Sequence, residues 1–214
     1  MSWLRYLIAT RSAGKLRELN QIFGDFKVRV VDLSGAGIPE TSGEDDLECF
    51  TTFEENAVAK ARYFHLASRG MPTFADDSGL VVDALGGEPG VISKRWSGRP
   101  DLTGAELDAA NNAKLLSRMA AAREANPGAA DTGRYVSVAV YKDGDYETLV
   151  RGEVEGRILA EPRGAGGFGY DAYFEAPELG GTFAESSVAL TASRGHRGRA
   201  FRALLSALRA DGRL

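Results

Sequence analysis

Two adjacent acidic residues, Asp76 and Asp77, stand between apolar residues and are the first candidates for chemistry in this chain. They lie in the stretch Phe74–Trp96, FADDSGLVVDALGGEPGVISKRW, where they end a short apolar run and precede Ser78, a glycine and a second apolar run. Paired carboxylates with apolar neighbours are costly in desolvation and mutual repulsion unless a cation or hydrogen-bond donors offset that cost. The pair therefore predicts a metal ion as its partner. The alternative is an ordinary turn, because Asp, Ser and Gly are turn formers.

A cationic turn joins the first predicted strand to the first predicted helix. The apolar run Leu4–Thr10 predicts a buried strand, and Lys15–Gly24 follows helical spacing and stops at a glycine. Such a junction presents backbone N–H groups and the positive end of the helix dipole to an anion. Lys15 can reach back over that anion, and Arg11 stands in the same turn. The alternative for Lys15 is a solvated helix charge, and the P-loop pattern is absent.

A glycine-rich segment, Gly164–Asp171 with the sequence GAGGFGYD, is the second candidate for ligand contact. Its glycines suit close approach of the backbone to a ligand better than a regular element. Phe168 offers a stacking face and Asp171 an acceptor for ring N–H or amino groups, with a core Phe and a turn Asp as the alternative. His196 and Arg197, which begin the last helix, could donate to a base carbonyl, or His196 could cap or pack.

Taken together, these patterns resemble the inosine triphosphate pyrophosphatase (ITPase) family over essentially the whole chain. That family carries Thr-x-Asn-x-x-Lys, Asp-Asp-Ser-Gly-Leu followed by Leu-Gly-Gly-x-Pro-Gly, Gly-Gly-Phe-Gly-Tyr-Asp and Ser-His-Arg. The corresponding segments here are Thr10-Arg-Ser-Ala-Gly-Lys15, Asp76-Asp-Ser-Gly-Leu80, Gly166-Gly-Phe-Gly-Tyr-Asp171 and Gly195-His-Arg197, in which Gly195 stands where the family has Ser. Each motif alone is weakly specific, whereas all four in order at compatible spacings are a strong match.

The resemblance implies an α/β fold: a mixed, elongated β-sheet flanked by helices, in two lobes with a central cleft, as a single domain over residues 1–214. It implies a homodimer and hydrolysis of ITP, dITP or XTP to the nucleoside monophosphate and pyrophosphate. In that reaction Asp77 contacts the metal and activates the water that attacks the α-phosphorus. Asp76 and Lys15 are the other implied catalytic residues.

The expected cofactor is Mg²⁺, which neutralises triphosphate charge, prefers carboxylate oxygens and keeps several waters. One or two acids from separate loops therefore suffice. Asp77 is the first expected ligand, and Glu40 in the acidic loop 34–47 is the second. Glu44 and Glu48 are the alternatives, and a charged loop is also compatible with simple solvation.

Substrate contacts are expected from the turn, the acidic pair, the glycine-rich segment and the last helix. The residues are Thr10, Arg11, Ser12, Lys15, Ser78, Phe168, Gly169, Tyr170, Asp171, Thr191, His196 and Arg197.

Two substrate positions depart from the family. Ser12 replaces its Asn, which shortens a donor on the phosphate side but keeps a hydroxyl. Thr191, five residues before His196, replaces a lysine that the family uses to recognise a 6-keto base. Arg194 or Arg197 could fill that vacancy. The alternatives are therefore the same reaction on a different base, or a nucleotide-binding protein with little turnover.

Composition restricts the class of protein. The 214 residues carry a net charge of -4, which argues against binding the backbone of duplex nucleic acid. The single cysteine, Cys49, excludes an intramolecular disulfide and a cysteine-based metal cluster. No apolar run approaches the roughly 18 residues of a membrane span, and the N-terminus resembles a core strand more than a signal peptide. The expected location is the cytoplasm, with no nucleic-acid or membrane partner.

Hydrophobic spacing predicts the remaining elements. They are a strand at Val28–Leu33, helices at Thr51–Ser68, Thr103–Ala125 and Arg199–Arg209, and a hairpin of Arg134–Lys142 with Glu147–Leu159 across Asp143-Gly144.

Overall fold

The computed structural model describes residues 5–214, apart from the side chain of residue 45. Leu4, the start of the predicted first strand, lies outside the described residues. Short 3₁₀ segments at Ser42–Glu48 and Gly90–Arg95 join longer elements. In chain order the strands and helices are β1 (Tyr6–Ala9), α1 (Ala13–Asp25), β2 (Val30–Asp32), α2 (Phe53–Ala67), β3 (Thr73–Val82), α3 (Gly104–Ala125), β4 (Thr132–Asp143), β5 (Tyr146–Ile158), β6 (Phe174–Ala176), β7 (Gly181–Thr182), α4 (Val188–Arg194) and α5 (His196–Ala210).

Seven strands form one mixed sheet in the order β2-β1-β3-β4-β5-β6-β7. Strand β1 is parallel to both β2 and β3, and the pairs from β3 to β7 are antiparallel. Helix α1 leads from β1 to β2, and α2 leads from β2 to β3 on the opposite face of the sheet. The carboxyl end of β1 is therefore a point where the connections diverge, and open α/β sheets form a crevice there.

The hydrophobic core is divided along β3. Phe74 packs on one face of the sheet with α1 and α5, while Ala75 packs on the other face with α2. A third cluster begins at Leu80 and includes Trp96 and residues of α3. The polar stretch 76–79 lies between these clusters. This arrangement confirms the predicted α/β fold with a mixed sheet flanked by helices.

The acidic pair lies inside a strand, so the alternative of a turn at Asp76 and Asp77 is wrong. Strand β3 is continuous over ten residues, and β4 pairs with it along its whole length, with Asp76 opposite Ala139 and Asp77 opposite Val138. Gly79 is explained by packing, because a Cβ there would collide with the carbonyl oxygen of Gly90 and the hydroxyl of Ser93. A glycine in a strand commonly marks such close approach.

The other elements follow the sequence patterns with shifts at their ends. The predicted hairpin is present, with Gly144 at φ +53° in its turn. The last helix begins at His196, and α4 precedes it as a separate short helix that hydrophobic spacing did not indicate. Part of the acidic loop is the 3₁₀ segment Ser42–Glu48. Within residues 5–214 no helix is both long enough and apolar enough to cross a membrane.

Candidate active site

The site begins where β1 ends. Ala9 is the last residue of β1 and pairs with Ala75, so β3 loses this neighbour from Asp76 onward. The chain then turns into α1, whose N-cap Ser12 accepts a hydrogen bond from the Lys15 backbone N–H at 3.3 Å. The short strand thus leaves a notch in the sheet, with the start of α1 at its edge.

Asp76 faces α1 and α5. Its Oδ2 atom lies 3.0 Å from Lys15 Nζ and 3.2 Å from Arg197 Nε. Arg197 also donates to Glu18 and, at 2.8 Å, to the Ser78 hydroxyl. Burial alone would raise the pKa of Asp76, but Lys15 and Arg197 hold it well below its usual range. Asp76 is therefore an ionised carboxylate fixed between two cations.

Asp77 faces α2, because neighbouring strand residues point to opposite faces. Its Oδ2 accepts from Asn56 Nδ2 at 3.1 Å, and its Oδ1 lies 3.2 Å from Lys60 Nζ. The same Lys60 nitrogen lies 2.8 Å from Glu48 Oε1, and Arg95 contacts the other Glu48 oxygen at 3.0 Å. Although burial raises the pKa of Glu48, Lys60 lowers it to about 2.

Both faces belong to one electrostatic cluster, since the charge of Lys60 lowers the pKa of Asp76 and that of Lys15 lowers the pKa of Glu48. Carboxylates outnumber the largely buried cations, so the cluster alone does not suit a polyanionic substrate. Its members are Glu18, Glu48, Asp76 and Asp77, with Lys15, Lys60 and Arg197.

The donor set suits a hard divalent cation. Oxygens of Asp77 and Glu48 converge on one point, now shared with Lys60 Nζ, and the buried Asp76 Oδ1 has no hydrogen-bond partner. Among the described side chains, no three or more His, Cys, Asp or Glu converge as a closed metal site. Mg²⁺ needs no closed cage, because it keeps several of its waters.

The acidic loop is arranged differently from the prediction. Glu40 is exposed, and no contact described within residues 5–214 brings it to Asp77. Arg11 binds Glu44 through two hydrogen bonds, of 3.0 and 2.7 Å, and also donates to the carbonyls of Ile38 and Pro39. Arg11 thus fixes the loop instead of facing a phosphate site, and the alternative acid Glu48 is the one that reaches Asp77 through Lys60.

A cavity adjoins the Asp76 side of the cluster. Phe168 packs so tightly on Gly14 that any Cβ at Gly14 would collide with its ring. Glu18 belongs to both the cavity and the cluster, through its ion pair with Arg197. The cavity is lined by Gly14, Arg17, Glu18, Gly167, Phe168, Asp171, Phe183, Ser186, Val188 and Thr191.

Asp171 is held rigidly at the wall of this cavity. Its two oxygens accept hydrogen bonds from the Tyr135 hydroxyl at 3.0 Å and the Phe168 backbone N–H at 2.9 Å. Burial raises its pKa to about 7. Gly167 has φ +73° and no room for a Cβ beside Asp171, so a glycine is required there.

Four of the residues predicted to contact substrate contact other groups of the protein instead of lining the cavity. Tyr170 donates to the Ser93 carbonyl at 2.7 Å, and the Gly169 N–H donates to Asp108 at 2.8 Å. His196 is buried and stacks on Tyr135 with ring centroids 4.7 Å apart. Burial lowers the pKa of His196 well below its ordinary value, so it is neutral. Arg197 belongs to the ionic cluster, and none of these four lines the cavity.

Three residues of the site were missed by sequence reasoning. Asn56 and Lys60 lie on the buried stripe of α2, between the apolar residues Phe53, Ala57 and Ala61. Glu18 is likewise buried beside Leu19 on α1. A charged or amide side chain within an apolar helical stripe is the signal that could have found them, because such groups are rarely buried without partners.

Known proteins match this chain over nearly its whole length. The Ham1 family matches residues 6–207. A protein of Nocardia farcinica named dITP/XTP pyrophosphatase is 46% identical over 213 residues, which cover 98% of this chain and 97% of the relative.

Solved structures are similar over nearly the full length. A HAM1 protein from Coxiella burnetii aligns with a TM-score of 0.79 at 30% identity, covering 97% of this chain and 100% of the other. A nucleoside-triphosphatase / dITP/XTP pyrophosphatase from Mycobacterium abscessus aligns with a TM-score of 0.66 at 35% identity, covering 95% and 99%. The chain therefore belongs to the Ham1 family, the ITPase-like family that its motifs predicted.

Proposed function

We propose that this Ham1-family chain hydrolyses nucleoside triphosphates to the nucleoside monophosphate and pyrophosphate, with dITP and XTP as its expected substrates. The observation that carries the proposal is the ionic cluster at the carboxyl end of β1, where Asp76 and Asp77 meet Lys15 and Lys60 beside a cavity. The substrate class comes from the names of the relatives.

The residues of the site have separate roles in this reaction. Lys15 and the N-terminus of α1 bind the β- and γ-phosphates and neutralise the charge that develops on the leaving pyrophosphate. Asp77 orients a water and accepts its proton as the water oxygen attacks the α-phosphorus. The bond from the α-phosphorus to the bridging oxygen breaks, and pyrophosphate departs. Asn56 holds Asp77 Oδ2 in place at 3.1 Å.

Mg²⁺ is part of the proposal, with Asp77 and Glu48 as the residues that would hold it. When bound, it supplies positive charge against the triphosphate, as divalent cations do in phosphoryl chemistry. Lys60 contacts both carboxylates at one point, and its charge lowers the pKa of Glu48 to about 2.

A homodimer is also proposed, on the strength of the family resemblance alone, and the cytoplasm remains the expected location. Size-exclusion chromatography with light scattering should give twice the chain mass of 22.9 kDa. A species of single-chain mass at micromolar concentration would contradict it.

The test of function is a panel of nucleoside triphosphates with Mg²⁺, scored for pyrophosphate and orthophosphate separately. Pyrophosphate and monophosphate in equal amounts, with dITP and XTP preferred over dATP, is the expected result. Orthophosphate release would instead mean cleavage at the γ-phosphorus. Binding without turnover would favour the alternative of a nucleotide-binding protein.

A further inference from the structure

The cavity contains a threonine where the family has its base-reading lysine. Thr191 lines the cavity, but its hydroxyl donates to the Val188 carbonyl within α4 at 3.1 Å. The position therefore supplies no charged donor. If the chain still recognises a base carbonyl, another residue must provide the donor.

The two arginines nearest in sequence do not provide it. Arg197 uses its guanidinium on Asp76, Glu18 and Ser78, is 2% exposed, and does not line the cavity. Arg194 is exposed, donates to the Glu178 carbonyl at 3.3 Å, and also does not line the cavity.

A different arginine, Arg17, lies at the cavity. It is on α1, one turn of the helix beyond Gly14, and it lines the cavity together with Phe168 and Thr191. Of the ten lining residues it is the cationic one. Its side chain is exposed, and it has no hydrogen bond or ion pair to any residue of the described part, 5–214.

We propose that Arg17 is the specificity-determining donor of this site, reading a purine carbonyl in place of the missing lysine. The inference rests on the proposed function. A guanidinium only donates hydrogen bonds, so it attracts a 6-keto oxygen and disfavours a 6-amino group. Asp171, which also lines the cavity, has acceptor oxygens for the ring N–H beside that carbonyl. A 6-keto purine presents this acceptor and donor pair, whereas adenine presents the reverse.

The position of Arg17 supports a role at the base and not at the phosphates. Lys15, two residues earlier, is directed to Asp76 at 3.0 Å and is not among the lining residues. The two cations of α1 thus face different parts of the site. Loss of Arg17 should change selection between bases, whereas loss of Lys15 should affect all triphosphates alike.

The test compares kcat/KM for dITP and dATP in the wild type, Arg17→Ala, and the control Arg194→Ala, which removes an exposed arginine outside the cavity. We expect Arg17→Ala to lower the dITP-to-dATP ratio about tenfold, the low end for a charged hydrogen bond because the site is open to water. Arg194→Ala should leave the ratio unchanged. Adding Thr191→Lys to Arg17→Ala should restore most of it, since the lysine would return a donor to the same cavity.

The outcomes separate the inference from the function on which it rests. No pyrophosphate from any nucleotide in the folded wild type would contradict the proposed function. An active wild type that prefers dITP, with an unchanged ratio in Arg17→Ala, would overturn the assignment of Arg17 alone. A loss in Arg17→Ala that is equal for dITP and dATP would also overturn it, because the arginine would then act on the phosphates.

Discussion

At the scale of single residues, the adjacent carboxylates have separate surroundings and therefore separate roles. Asp76 lies between Lys15 and Arg197, where it completes a set of buried ion pairs. Asp77 contacts Asn56 and Lys60 and faces the point that it shares with Glu48. Asp77 is therefore the carboxylate to which we assign the water and the metal in the proposed reaction.

Asp77→Asn should lower kcat at least about a hundredfold for every accepted nucleotide, because it removes a proton acceptor and a metal ligand at nearly constant size. Steady-state pyrophosphate release is the measurement, with thermal unfolding to show that the variant folds. Asp101→Asn, an exposed acid paired with Arg99, is the matched control and should retain wild-type kcat. More than half of wild-type kcat in a stable Asp77→Asn would remove Asp77 from catalysis.

Lys15→Ala should weaken triphosphate hydrolysis to nearly the same extent for all bases. A point charge at the phosphates cannot distinguish one base from another. The ratio of kcat/KM for dITP to that for dATP is the measurement, and it should match the wild type while both values fall. A loss confined to one base would place Lys15 in the base pocket.

At the scale of elements, sequence patterns predicted the helices, the hairpin and the turn around the site, but not how these elements contact one another. The helix stripes and the hairpin follow from spacing, and the Thr10–Lys15 turn follows from the end of a strand. The local sequence does not predict that β3 is continuous through Asp76 and Asp77. Two carboxylates are stable inside a strand only because α1 and α5 supply cations on one face and α2 supplies a cation on the other. Glu48 was ambiguous for the same reason, since only the position of Lys60 on α2 selects it.

Because Lys60 of α2 contacts both Asp77 and Glu48, its loss should make the stability of the protein depend more strongly on Mg²⁺. Lys60→Met leaves the buried Asp77 and the half-buried Glu48 without their shared cation, which should cost about 3 kcal/mol in unfolding free energy. Added Mg²⁺ should recover part of that loss, so the rise in Tm with Mg²⁺ should be larger than in the wild type.

Differential scanning calorimetry with and without Mg²⁺ measures this effect. Arg62→Met, which removes an exposed arginine of the same helix that pairs with Glu147, is the control. It should show little loss of stability and a wild-type response to Mg²⁺. Equal rises in Tm with Mg²⁺ in Lys60→Met and Arg62→Met would show that Asp77 and Glu48 do not bind the metal.

At the scale of the whole molecule, two buried groups beside the cavity make stability depend on pH in opposite directions. Burial raises the pKa of Asp171 from 3.8 to about 7, so the folded state binds more protons there than the unfolded state between these values. Burial also lowers the pKa of His196 below its usual 6.5, so the unfolded state binds more protons there below that pH. Rising pH therefore weakens the fold through Asp171 and strengthens it through His196.

Asp171→Asn removes the first of these effects and leaves the second. Between pH 4 and 7 the unfolding free energy of the variant should rise with pH relative to that of the wild type, by up to about 1.4 kcal/mol per pH unit. Urea denaturation at pH 5, 6, 7 and 8 gives the difference at each pH, and the difference should level off above about pH 7. If the unfolding free energy of Asp171→Asn instead follows that of the wild type at every pH, then the carboxyl of Asp171 has the same proton affinity folded and unfolded, and burial does not raise its pKa.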